Sequence, residues 1–288
     1  MISFAVFVFG LAIGSFVNAL IYRMGAAHGS GRASPRSTLL SGRESVLHGR
    51  SYCPRCKHPL AWYDLIPLVS FALLKGTCRY CKRKISLQYP LVELATALVF
   101  VALAWSVLPK FSLGVENLME LSFPKVLELL YLWAVASGLL VIFVYDLKHY
   151  LIPDKVLYPA ILVSSIWYLV SSIFFDLYTK YEILNTIYSA LGAGAFFWAI
   201  HAVSRGAWMG FGDVKLAFLL GLFLGWPSVL VALFFAFCLG AVVGVVLVLL
   251  KKKGLKSEVP FAPFLIMGTA IAFFFGSSIV HFYMNLIL

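Results

Sequence analysis

The chain has 288 residues, 62% of them hydrophobic and 12% charged, with a net charge of +11. Soluble domains carry about 45–50% apolar and about 25% charged residues, so this composition excludes a soluble globular domain and points to a polytopic membrane protein. The positive charge requires no nucleic-acid partner, because a polybasic face against a lipid surface accounts for it.

A crossing helix needs about 20 mainly apolar residues. Eight spans are predicted, over 2–22, 89–108, 126–145, 156–175, 183–203, 214–226, 228–250 and 262–287. The expected fold class is therefore all-α, with about eight transmembrane helices. The first span begins at Ile2 with no basic stretch before it, and Arg23 follows it. That order predicts an uncleaved first helix with its N-terminus outside. The sixth span is short, and Gly225-Trp226-Pro227-Ser228 separates it from the seventh as a turn with an interfacial aromatic.

Lys and Arg set the orientation. Twelve lie between Arg23 and Lys84, and the segments around 148–155, 205–215 and 251–256 bring that side to twenty. The opposite side has three, Lys110, Lys125 and Lys180. The positive-inside rule then places the 23–88 loop and both acidic segments in the cytoplasm. The expected organisation is a first helix at 1–22, a cytoplasmic cysteine-rich loop at 23–88 and a membrane core at 89–288. Within the loop, 25–50 is rich in Gly, Ser, Arg and Pro and reads as flexible.

Cys53 and Cys56 form one C-x-x-C pair and Cys78 and Cys81 a second, with 21 residues between. Two such pairs can close a tetrahedral thiolate site that favours zinc, and four protein ligands leave no open position for catalysis. Disulfides are the competing reading, which a cytoplasmic loop disfavours. A redox motif would need only one pair. Cys238 lies alone in a span and is expected to pack as a small apolar residue.

Two acidic segments flank the membrane on the same side. Asp146 closes the third span, Asp154 opens the fourth, and Asp213 leads the sixth in Gly210-Phe211-Gly212-Asp213. Asp146 and Asp213 thus reach one depth, as a two-aspartate hydrolase requires, where one carboxyl keeps a proton and the other activates water. Gly210 and Gly212 allow unusual dihedrals or a close approach by another segment. Edge aspartates are also often solvated or paired, here with Lys148 or Lys215. Asp154 after Pro153 further reads as a helix start. Glu93 is either a substrate or methyl-transfer contact or an interfacial charge near Lys84. Asn18 either lines a site or hydrogen-bonds between helices.

Six segments in order carry a family resemblance: GSFVNALIYR, SYCPRCKHPLAWYDLIPLVSF, GTCRYCKRKISLQYPLVE, YDLKHYLIPD, GFGDVKL and VPFAPFL. Together they resemble the type IV prepilin peptidases, bifunctional leader peptidases and N-methyltransferases of bacterial pilus and type II secretion systems. The resemblance implies that Asp146 and Asp213 are the proteolytic pair, in a Gly-x-Gly-Asp setting shared with presenilin-like proteases. It implies cleavage of a basic leader from prepilins or pseudopilins at the cytoplasmic face of the bacterial inner membrane. Methylation of the new amino terminus with S-adenosylmethionine would follow, and the full cysteine loop goes with the bifunctional members. Ala262 stands where glycine is common in the family. A peptidase without methyl transfer remains the nearest alternative. A proton-coupled transporter explains buried carboxylates but leaves the tetrathiolate loop unexplained, and a zinc-knuckle scaffold leaves GFGDVKL unexplained. Oligomeric state is not indicated.

Overall fold

The computed structural model describes residues 2–29, 51–53, 55–108, 122–175, 178–250 and 259–287. The expected flexible insertion, beyond residue 29, and the lysines at 251–253 and 256 lie outside the described residues. Among the described residues the structure is helical and has no strands. The helices are α1 (Ile2–Gly29), α2 (Val69–Leu73), α3 (Gln88–Val107), α4 (Phe123–His149), α5 (Asp154–Phe175), α6 (Lys180–Ser204), α7 (Phe211–Leu224), α8 (Ser228–Leu249) and α9 (Ala262–Ile287). Seven of them are long and apolar enough to cross a membrane. Large apolar side chains such as Phe4, Leu98, Ile173 and Phe234 are exposed on these helices, as a surface facing lipid requires. Cys238 is also exposed on α8, so it does not pack inside as expected.

The chain forms two compact units, Met1–Val141 and Ile142–Leu288. In the first, α1 lies along α3. Gly10 and Gly14 are one turn apart, and a Cβ would meet the Ala97 Cα at 2.6 Å and the Glu93 Cα at 2.7 Å respectively. Small residues at this spacing let two backbones touch, which is how helices gain dispersion energy in lipid. The Trp133 ring stacks on Phe100 with centroids 4.9 Å apart and donates its indole N–H to the Phe100 carbonyl at 3.1 Å.

In the second unit α7 is the centre. It packs against α5, α6, α8 and α9, and Leu216, Ala217, Leu219 and Leu220 are 0% exposed. Its 14 residues reach only about 21 Å at about 1.5 Å per residue, short of a hydrocarbon core of about 30 Å. The sixth expected span is therefore a short buried helix. It ends where Gly225 adopts φ +67°. There Asn185 holds the next residue through both groups of its amide, donating to the Trp226 carbonyl at 2.9 Å and accepting the Trp226 N–H at 3.3 Å.

The α6–α7 contact depends on Gly221, where an added Cβ would lie 2.5 Å from the Ser189 carbonyl oxygen and 2.7 Å from the Ala190 Cα. Both neighbours are helix backbone and cannot yield locally. Gly221→Ala is expected to cost about 1–3 kcal/mol, as overpacking does, and to lower the thermal midpoint in detergent. Gly192→Ala on α6 meets nothing within 4 Å and is expected to leave it unchanged.

Candidate active site and metal centre

Two chain reversals build the carboxylate site, both within the second unit. At the end of α4 the Tyr150 N–H donates to the Asp146 carbonyl at 2.9 Å, and Tyr150 turns the chain at φ +55°. Residues 151–153 then lead to Asp154, the first residue of α5. At the end of α6, Arg205 and Gly206 adopt φ +50° and +80°, and the Gly206 N–H donates to the His201 carbonyl at 2.9 Å. The His201 ring lies 2.9 Å from the Met209 carbonyl through Nδ1. A carbonyl only accepts, so Nδ1 carries the proton. This contact ties down the loop that precedes Asp213.

Gly210 caps α7 with ordinary dihedrals, φ −71° and ψ 152°. Its N–H donates to the Asp213 carboxylate, while the Asp213 N–H returns a bond to the Gly210 carbonyl at 3.2 Å. Gly212 serves a close approach: a Cβ there would meet Ile152 at 3.1 Å. Asp146, only 5% exposed, accepts the backbone N–H of Ala262 at the start of α9. Each carboxylate therefore sits at a helix N-terminus, Asp213 at that of α7 and Asp146 at that of α9, where free N–H groups favour negative charge.

Asp146 and Asp213 line one cavity of about 840 Å³, together with Tyr150, Ile152, Met209 and Phe261, and they are close enough to interact through their charges. Asp154, Gly210, Gly212 and Lys215 line it too. The ion pair expected of an edge aspartate is made by Asp154, whose carboxylate pairs with Lys215. The Lys215 ammonium also lies 5.1 Å from the Tyr158 ring centroid.

In the first unit the two C-x-x-C pairs fold as the same device. The Cys53 N–H donates to the His58 carbonyl at 3.0 Å and the Lys57 N–H to the Cys53 carbonyl at 2.9 Å. In the second, Cys78 bonds Arg83 and Lys82 bonds Cys78, both at 2.9 Å. Lys57 and Lys82 take matching left-handed conformations, φ +59° and +55°, and the His58 and Tyr80 rings join the knuckles with centroids 3.7 Å apart.

The four sulfurs lie within 4.8 Å of one another. Cys53 and Cys81 are 4.0 Å apart, twice a disulfide bond and close to the edge of about 3.8 Å that a tetrahedron with Zn–S bonds of about 2.3 Å requires. Burial pushes the Cys53 thiol up, but the backbone N–H groups of Cys56 and Arg55 outweigh it and bring it down to about 7. At Cys56 the His58 amide pulls down, while burial and the Cys53 and Cys81 sulfurs push up, to about 11. The first thiolate thus opposes the second, and a bound cation removes that conflict. The four sulfurs fit a metal ion.

Residues 8–107 match the family described as the bacterial peptidase A24 N-terminal domain, and residues 133–245 match the type IV leader peptidase family. The prepilin leader peptidase/N-methyltransferase of Aeromonas salmonicida (strain A449) is 33% identical, over 98% of this chain and 94% of its own. The chain belongs to the type IV leader peptidase family. A relative of the same description from Bacillus subtilis (strain 168) is 31% identical over 98% of both chains. One from Pseudomonas aeruginosa is 29% identical over 96% of this chain and 91% of its own. No solved structure matches.

The remaining expected site residues of this family member lie in the first unit. Asn18 donates from α1 to the Tyr89 carbonyl at 2.9 Å, the interhelical hydrogen bond that was one of its two readings. Glu93 is buried, and accepts the Leu68 N–H at 2.9 Å and the Ser15 hydroxyl. His201 and Ala262 were not singled out for the aspartate site. His201 had only its position near Gly210 as a signal, and Ala262 contributes a backbone amide, which no side chain announces.

Metal analysis of the purified protein is expected to find about one equivalent per chain, set by the four-sulfur stoichiometry. Cys56→Ser with Cys81→Ser should remove it. Because thiolates bind metal and protons compete for them, wild-type metal content should fall as pH is lowered and recover as it is raised.

Proposed function

We propose that this chain removes the leader peptide of type IV prepilins or pseudopilins with Asp146 and Asp213 and then methylates the new amino terminus. The observation that carries the reading is the shared cavity: two carboxylates distant in sequence line one chamber, each at a helix N-terminus. Family membership supplies the substrate class, since the relatives are prepilin leader peptidases and N-methyltransferases.

In the proposed reaction the pair holds one proton. The ionised carboxylate takes a proton from water as the water oxygen attacks the scissile carbonyl carbon. The other carboxyl gives its proton to the leaving nitrogen as the C–N bond breaks. Amides from Gly210 and Ala262 fix the two carboxylates without using their remaining oxygen lone pairs. A peptide in a membrane helix must unwind before attack, because its backbone groups are bonded within the helix. Glycine at the cut site lowers the cost of that step.

The orientation follows from positive charge, with the cavity at the cytoplasmic face of the bacterial inner membrane and the N-terminus outside. Cys53, Cys56, Cys78 and Cys81 hold zinc as a closed structural site. S-adenosylmethionine supplies the methyl group when bound.

Leader removal from a prepilin in liposomes tests the pair. Asp146→Asn and Asp213→Asn are each expected to lower the rate by roughly 10²–10⁴-fold or more, the scale of lost general acid–base catalysis, with folding intact. Retained cleavage in both would show that these are interfacial charges. The cysteines and the aspartates belong to different compact units. Cys53→Ser with Cys81→Ser should therefore depress methylation well before cleavage, measured on the same pilin by mass spectrometry.

A further inference from the structure

A second cavity, of about 140 Å³, lies in the first unit beside the cysteine knuckles, and the carboxylate mechanism makes no use of it. Its lining includes Asp64, Glu93, Phe71, Tyr89, Cys53 and Cys78. The Asp64 side chain is 3% exposed; its Oδ1 accepts the Arg79 Nε–H at 2.8 Å, while its Oδ2 is buried with no hydrogen-bond partner. A buried carboxylate oxygen left unpaired is costly. Glu93, 8% exposed, lines the same cavity. Leu68, held in the left-handed region at φ +57°, turns its N–H onto Glu93 Oε2 at 2.9 Å, and the Ser15 hydroxyl bonds the same carboxylate.

Charge and shape define what the cavity would accept. Asp64 and Glu93 against the single guanidinium of Arg79 give the lining an excess of acidic groups. The aromatic lining from Phe71 and Tyr89 favours a cation with apolar substituents, held by charge and by ring faces. A volume near that of an apolar cavity that takes benzene suits an onium group and its nearest substituents, with the rest of a larger ligand lying outside the cavity. An anion or a neutral apolar group would leave Asp64 Oδ2 unpaired.

We infer that Asp64 and Glu93 form a binding site for an organic onium group, the α-ammonium of a peptide amino terminus or the sulfonium of a methyl donor. The inference rests on the methyl-transfer part of the proposed function. Those two reactants are the cations that such a reaction brings together. Asp64 Oδ2 receives the onium group, Glu93 adds the second negative charge, and Arg79 holds Asp64 in place from the outer side.

Calorimetry on the full-length protein in detergent tests the site directly, with phenylalaninamide and S-adenosylmethionine as probes and N-acetylphenylalaninamide as the uncharged control. Asp64→Asn and Glu93→Gln remove charge with little change of shape, and metal content and thermal midpoint report on folding. The expected result is that wild type binds one of the two cations and not the acetylated control. Affinity should fall at least tenfold in each variant, and the probe affected names the source of the onium group. The KM of that reactant in methylation should rise in parallel. Absence of binding by either cation, or equal binding by folded variants, overturns the site. Binding with this pattern in a protein that does not methylate pilins would keep the site and overturn the function assigned to it.

Discussion

A helix in hydrocarbon satisfies its own backbone except in its first and last turns, and the aspartate site depends on where one such end is placed. With 14 residues α7 cannot bridge a bilayer, so its ends would meet lipid unless protein surrounded them. Packing by α5, α6, α8 and α9 supplies that wall, and the close α6 contact at Gly221 keeps it tight. The free amides at the start of α7 can then face a polar chamber. Asp213 occupies this end, and the start of α9 repeats the arrangement for Asp146.

The walls of the chamber are joined by contacts of different kinds. Ile152 seats on Gly212, Asp154 pairs with Lys215, and His201 holds Met209. The first two tie the start of α5 to that of α7. The third ties the end of α6 to the loop before Asp213. Phe261, on the third side, belongs to an aromatic group with Phe197 and Phe237, at centroid distances of 6.1 and 5.2 Å.

Much of this was legible in the sequence because hydrophobic length and metal-ligand spacing are strong one-dimensional signals. The eight apolar segments correspond to helices whose ends mostly fall within a few residues of expectation, and the cysteine spacing anticipated a cluster that the structure assembles. The sixth segment was harder, because a short apolar run reads alike whether it crosses lipid or is buried by protein. Side-chain partnerships were beyond reach. Whether Asp154 or Asp213 would take Lys215 depends on where α5 starts relative to α7. The unpaired oxygen of Asp64 depends on a folded loop that carries no periodicity at all.

The two lysines that turn the cysteine knuckles have an energetic consequence. Neither Lys57 nor Lys82 is a glycine, yet both adopt left-handed backbone, a conformation that costs an L-residue roughly 1–2 kcal/mol. If the four crowded sulfurs hold a metal ion, the balance of the loop is set by mass action. Once free metal exceeds its dissociation constant, each further tenfold adds about 1.4 kcal/mol to the loaded form. The supply of metal would then act on this loop as temperature or denaturant acts on an ordinary domain.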